Sequence, residues 1–317
     1  MSARHYLLAL SFFLSTFTYS LLAQNPTLRE GEGYVDVEGG RMWYRIVGSG
    51  NQTPLLMMHG GPGGTSYGLF SLGAISEDRP LIFFDQLGGG RSDMHQDTSL
   101  LTVDHFVEQV RALVVHLALD SVCLFGHSWG TALALEYYLV YPKGVQAIVF
   151  NSPFFNTKEW IADADTLIMA LHDTIQEAIA YYSELEDYDN GRFRAAERVY
   201  LQHYGRRSSE RMRTEWDMPY KPGSNFIYTY MWGQTEFTAT GKLKHYNRSE
   251  SLKKIDVPAL FVTGEYDEAR PSTVLQQAVA APKGAFAVIP NAGHATMVDN
   301  NAENVSIIRS FLNDVGR

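Results

Sequence analysis

The chain has 317 residues, 45% of them apolar and 19% charged, which suffices for one large globular domain with an elaboration and argues against a disordered chain. The formal net charge is −9 and the basic residues do not cluster, so nothing marks a nucleic-acid surface or a polybasic membrane-binding face. The single cysteine, Cys123, has no partner in the chain, which excludes an intrachain disulfide and leaves stability to the core.

Arg4 precedes an apolar run from Tyr6 to Leu22, and small residues lead to Ala23, followed by polar Gln24 and Asn25. This is the layout of a cleaved export leader over residues 1–23, and it implies a periplasmic or extracellular protein. An uncleaved membrane anchor is the competing reading, weakened by Ser, Thr and Tyr within the run. Next, "GYVDVEGG" and "RMWYRIVG" alternate apolar with polar residues around a Gly-Gly turn, which predicts an antiparallel hairpin.

The runs "PLLMMHGG", "PLIFFDQLGGG", "SVCLFGHS" and "VQAIVFNS" are continuously apolar, as expected of strands buried on both faces of a parallel sheet. Cys123 falls inside the third and reads as a small buried hydrophobe. Helical patterns over Val103–Leu119 and Thr131–Tyr141 alternate with these runs, so the fold class is α/β. From about Pro153 to Tyr246 the texture changes to long amphipathic stretches without a buried-strand run. The predicted organisation is a sheet domain in two parts, residues 24–152 and 247–317, interrupted by a helical cap over 153–246. The second part carries "VPALFVTGEYD", "GAFAVIPNAGH" and a closing helix over Ala302–Leu312.

The chemistry begins at "GHSWG". A strand that turns sharply into a helix at Ser128 holds that serine in a strained conformation, and glycines at 126 and 130 remove the side chains that would clash. The pattern is a G-x-S-x-G nucleophile elbow, with the backbone N–H of Trp129 at a helix N-terminus facing a developing oxyanion. A serine hydroxyl needs a base, and the base needs a carboxylate to set its tautomer. In this layout both follow later strands, and the loops after them supply Asp267 and His294. Asp256 precedes its strand, Asp299 lies beyond His294, and His127 shares the strained turn, so each is a poorer candidate. The second oxyanion donor is expected from "HGGPGG", at the N–H of Gly61, with His59 bracing the loop. No H-E-x-x-H or similar spacing appears, and neither a metal nor a cofactor is implied.

"HGGPGG", "DQLGGGRSD", "GHSWGT", "GEYDE" and "AGH" together resemble the proline iminopeptidase family of α/β hydrolases, which includes the tricorn-interacting aminopeptidase and is similar to L-amino acid amidases. The resemblance spans nearly all of the chain after the leader. It departs at Gly89, where many members have Cys or Ser, a change expected to be harmless. The resemblance implies that Glu236 in the cap and Glu268 beside the catalytic aspartate hold a substrate's free α-ammonium; without it they read as a solvated cap residue and a loop ion-pair partner. The implied activity is a serine aminopeptidase releasing an N-terminal residue, foremost proline, from peptides. An amino-acid amidase, a broad aminopeptidase, a carboxylesterase on neutral acyl groups and a binding protein that has lost catalysis are the alternatives. Phe154, Phe155, Trp160, Tyr230, Trp232 and Phe237 suit the walls of a proline-sized pocket or, equally, a cap core.

Overall fold

The computed structural model describes residues 28–209 and 219–315. The leader expected over residues 1–23 lies outside the described residues. The hairpin forms as the alternation predicts: β1 (Gly31–Val37) pairs antiparallel with β2 (Gly40–Val47), and Gly39 makes the turn at φ +93°, a conformation glycine adopts without strain.

The apolar runs become β3 (Leu55–Met58), β4 (Leu81–Phe84), β5 (Val122–Ser128) and β6 (Val145–Pro153), and the late runs become β7 (Ala259–Gly264) and β8 (Gly284–Ile289). They form one sheet in the order β1-β2-β4-β3-β5-β6-β7-β8. β2 meets β4 antiparallel, and every pairing from β4 to β8 is parallel. The continuous runs conceal a period of two. Leu56, Met58, Ile82, Phe84 and Leu124 face one core, while Leu55, Met57, Leu81, Phe83 and Phe125 face the other. β8 is the exception, because at the sheet edge most of its side chains remain part-exposed.

On the first face pack α1 (Val103–His116), α2 (Trp129–Val140) and α7 (Pro271–Ala280); on the second lie the 3-10 segment Ser66–Glu77 and α9 (Asn301–Val315), preceded by the short α8 (Thr296–Asp299). Thr102 caps α1 by accepting the His105 N–H. α1 stops short of the expected Leu119 because Ala118 turns to φ +49° and the Ala118 and Leu119 N–H groups bond back to Val115 and Val114.

Between β6 and β7 lie α3 (Thr157–Ile168), α4 (Asp173–Glu184), α5 (Gly191–Tyr200), a π-helical turn at Leu201–Gly205 and α6 (Asn225–Met231). They carry a core of their own, with Phe193, Tyr200, Tyr204 and Phe237 at its centre. A bridge between Asn156 and Asn247 ties the neck of this segment. Its far end is pinned to the loop after β8: Tyr204 and Gly205 carbonyls accept from His294 and Ala295 N–H at 2.7 and 2.8 Å. The Asp299 carboxylate adds a clasp, accepting from the N–H groups of Gly293, Arg207 and Ser208. The carboxyl ends of the central strands are thereby covered.

Candidate active site

Ser128 ends β5 and precedes the first residue of α2, with φ +55° and ψ −126°, a region that costs a non-glycine residue of order 1–3 kcal/mol. Its neighbours explain why the strain persists. A Cβ on Gly126 would fall 2.2 Å from the Gly130 carbonyl oxygen, and one on Gly130 would fall 2.2 Å from that of Met58. The helix and strand backbones touch directly, and only glycine permits it. The Ser128 hydroxyl makes no cap bond to α2 and faces a small cavity under the cap.

Asp267 and His294 occupy the loops after β7 and β8. His294 Nδ1 lies 2.8 Å from Asp267 Oδ1. Asp267 is fully buried and also accepts the N–H groups of Ala269 at 2.8 Å and Gly264 at 3.1 Å. Burial alone would raise its carboxyl, but the charge and hydrogen bond of His294 hold it below the usual range. His294 packs at 4.9 Å from the His127 ring, adjacent to Ser128, and at 5.4 Å from Trp160, which lines the same cavity as Ser128. The three candidates thus converge on one place. The aspartate–histidine bond is made, while no hydrogen bond joins Ser128 to His294 among the described residues.

The two glutamates converge there as well. Glu236 lines the cavity with Ser128 and accepts a 2.7 Å hydrogen bond from the Tyr228 hydroxyl. Glu268 is buried, with Oε1 3.9 Å from His294 Nδ1 and Oε2 without a hydrogen-bond partner among the described residues. Burial raises both carboxyls, and Glu236 raises Glu268 further. Burial works to lower His294, yet Asp267 and Glu268, then Glu236, outweigh it and raise the imidazole to about 9. Such a concentration of carboxylates around one imidazole is a ready receptor for a further cation.

Gly61, at φ +120°, and Trp129 line the cavity on the side of Ser128. The loop carrying Gly61 is braced by buried His59, whose Nε2 accepts the Gln86 N–H at 2.9 Å while Nδ1 bonds the Gly60 carbonyl at 2.8 Å. With both nitrogens engaged and burial lowering its pKa, His59 is a neutral brace. Gln86 then links the loop that carries Gly61 to Trp129. Its amide donates to the His59 carbonyl at 3.1 Å and accepts the Trp129 indole N–H at 3.0 Å. Asp85 anchors the same region by accepting from Ser66 N–H and hydroxyl at 2.7 Å and from the Arg91 N–H. At Gly89, where the family pattern often has Cys or Ser, the glycine fits its surroundings. A Cβ there would stand 2.7 Å from the Gly64 carbonyl oxygen, so in this chain the glycine lets two loops meet.

The aromatic residues separate into two groups. Phe154, Trp160 and Trp232 line the cavity with Tyr228 and Leu243. Phe155 instead packs between Phe150 and Phe261, Phe237 belongs to the cap core against Phe193 and Tyr200, and Tyr230 stacks on Phe226. The cavity encloses only about 10 Å³, about one water's worth, so its aromatic walls must part to admit a substrate.

The poorer candidates have other partners. Asp256 bonds the Tyr138 hydroxyl at the opposite end of the sheet, and Asp299 clasps the cap. His127, lowered to about 3 by burial and the charge of His294, accepts from the Asn151 amide at 3.2 Å. Cys123 is buried, with its thiol pushed up to about 11, as an inert core residue should be. Tyr228 and Gln86 also belong to this site, through their bonds to Glu236 and to His59 and Trp129, and the sequence does not single them out. The only hint for Gln86 is its place in the "DQLGGGRSD" motif, and for Tyr228 there is none.

Residues 53–301 match the family model described as alpha/beta hydrolase fold. A proline iminopeptidase of Heyndrickxia coagulans is 37% identical over 288 residues, covering 90% of this chain and 99% of the relative. One of Saccharolobus solfataricus is 31% identical over 302 residues, 94% of this chain and 97% of the relative. Among solved structures, a proline iminopeptidase of Mycobacterium smegmatis shares the fold with a TM-score of 0.81 at 21% identity, over 90% of this chain and 99% of that one.

Proposed function

We propose, for a chain that belongs to the proline iminopeptidase family of α/β hydrolases, that it is a serine aminopeptidase releasing an N-terminal residue, foremost proline, from peptides with a free amino terminus. The observation that carries this reading is the pair Glu236 and Glu268, set beside the serine–histidine–aspartate constellation with one buried carboxylate oxygen unpartnered. A buried acidic pair is costly unless a cation joins it, and an α-ammonium relieves that cost while fixing the first residue's carbonyl over Ser128.

In this mechanism His294 takes the proton of Ser128 as its oxygen attacks the substrate carbonyl. The N–H groups of Gly61 and Trp129 stabilise the tetrahedral oxyanion, and Asp267 holds and charge-stabilises the imidazolium. The imidazolium then protonates the departing amine nitrogen, the C–N bond breaks, and an ester on Ser128 remains. Water attacks that ester by the same route, giving its proton to His294 and releasing the free amino acid. The walls formed by Phe154, Trp160 and Trp232 suit a compact apolar first residue. A carboxylesterase acting on neutral acyl groups would gain nothing from the glutamates. The proposed setting is outside the cytoplasm, on the strength of the leader-like residues 1–23.

The test is turnover of a prolyl arylamide against its N-acetylated form, on wild type and Glu236→Gln. The expected result is loss of the acetylated substrate in wild type and a selective loss on the free amine in the variant. Equal turnover of both substrates by wild type would remove the ammonium reading.

A further inference from the structure

A second hollow, of about 380 Å³, is lined by His294 and Glu268 together with Arg198, Gln202, Arg206 and Ala295. That volume is at the small end of ligand pockets, roughly 300–1,000 Å³. We propose that this hollow receives the leaving part of the substrate and that Arg198 and Arg206 recognise its free C-terminal carboxylate, which makes short free peptides, dipeptides and tripeptides, the preferred substrates. The inference rests on the aminopeptidase reading above and adds to it the chemistry of the far end of the substrate.

Three observations lead there. The cavity beside Ser128, walled in large part by Phe154, Trp160, Tyr228 and Trp232, holds only about 10 Å³, which leaves little room there for a chain continuing past the scissile bond. His294 must deliver a proton to the departing nitrogen, so that nitrogen and the residue it belongs to lie against the imidazole, where the second hollow begins. The hollow also carries both signs. Glu268 lines it beside His294, and the segment from α5 through the π-helical turn contributes Arg198 and Arg206, held against this loop where the Gly205 carbonyl accepts from the Ala295 N–H.

Carboxylates for the amine and guanidinium groups for the carboxylate together form the complement of a zwitterion. At about 3.3–3.6 Å per extended residue, a dipeptide or tripeptide places its carboxylate within reach of long arginine side chains. A planar guanidinium also pairs with a carboxylate through two parallel hydrogen bonds. Arg198 has no ion-pair partner among the described residues and is exposed. An amide substrate, whose leaving group is ammonia, would leave the two arginines unused.

The experiment compares kcat/KM for prolyl-glycine and prolyl-glycyl-glycine with their C-terminal amides, on wild type, on the double variant Arg198→Gln/Arg206→Gln and on the double variant Arg198→Lys/Arg206→Lys. Both arginines are exposed, so the variants should fold. Wild type is expected to favour the free acids by about five- to tenfold at low salt, as two exposed charge pairs allow, and less as salt rises. The preference should fall to within about twofold in the glutamine variant and persist in large part in the lysine variant. Equal kcat/KM for acid and amide in wild type, or a preference that survives the glutamine substitutions, overturns the inference. The prolyl arylamide, run on wild type, separates this from the premise: if it is turned over while acid and amide are equal, only the carboxylate site falls; if it is not, the aminopeptidase reading falls.

Discussion

Glu268 Oε1 stands 3.9 Å from His294 Nδ1, the nitrogen already bonded to Asp267 at 2.8 Å. With Glu236 also contributing, His294 is raised to about 9, a bias toward the charged imidazole that opposes acceptance of the serine proton in the free protein. In the proposed mechanism, a substrate ammonium between the glutamates would cancel much of their field and return His294 toward its ordinary range. The acid limb of kcat/KM reports the free protein and that of kcat the complex. The limb in kcat is therefore expected at lower pH than the limb in kcat/KM, after allowance for titration of the substrate amine. Coincident limbs would show that the ammonium does not reach the pair.

The same shift makes a statement about stability. Because the folded pKa of His294 lies above the ordinary 6.5, its contribution is fully present below pH 6.5 and is lost as pH rises through about 9. Glu268, raised by burial and then by Glu236, acts in the same direction: its ionisation costs stability as pH rises above its ordinary 4.5. Thermal denaturation of the free protein across pH 6.5 to 9 should show Tm falling from these groups. Glu268→Gln removes a buried carboxylate whose charge is disfavoured, and is expected to stabilise the protein near neutral pH by about 1 kcal/mol, ~2–4 °C in Tm. Its kcat/KM on free-amine substrates should fall at least tenfold, a stability gain opposed by a loss of function. A Glu268→Gln protein that melts lower than wild type would contradict the reading that burial and Glu236 disfavour the charge of this residue in the free state.

Asp267→Asn preserves shape but deprives His294 of its charged partner and favours the wrong tautomer. A fall in kcat of roughly 10³–10⁴ is expected, by analogy with serine hydrolases in which this bond has been cut. Binding of a substrate-like inhibitor should change far less, because the glutamates remain. A loss of less than tenfold would place the working carboxylate elsewhere.

The nucleophile turn makes a prediction about folding rather than chemistry. Gly130→Ala places a Cβ 2.2 Å from the Met58 carbonyl oxygen, against backbone that has no rotamer to yield. The expected cost is about 2–4 kcal/mol, in the range of overpacked or strained core sites, read as a lowered denaturation midpoint.

How far the sequence reveals this arrangement depends on the kind of constraint. The sheet is legible because buried parallel strands must be apolar throughout, and Leu55 to Met58 satisfy that on both faces. Ser128, Asp267 and His294 are legible because each sits at a strand end with a local pattern around it. Phe154 cannot be told from Phe155, or Trp232 from Phe237, because a cavity wall and a cap core demand the same buried aromatics. Tyr228 and Arg198 carry no local signature. Their neighbours, Glu236 and the hollow at His294, are fixed by how the cap folds back over the sheet.

Gln86 offers a test of the proposed chemistry at a residue that the proposed mechanism does not place against the substrate. Its side chain holds the His59 carbonyl at 3.1 Å and the Trp129 indole at 3.0 Å, joining the loop that presents Gly61 to the helix that presents the Trp129 N–H. Gln86→Leu keeps the volume but cuts both bonds, leaving the buried His59 carbonyl and Trp129 indole without this partner, a cost of about 1–3 kcal/mol. The oxyanion donors act on the transition state more than on the bound substrate. The expected signature is therefore a fall in kcat of about ten- to a hundredfold with KM changed by less than threefold. Gln86→Glu, which can still accept the indole bond but loses the amide donor, should fall between. If both substitutions raise KM and leave kcat intact, the residue serves the fold or substrate access, and the two oxyanion elements are held together by something else.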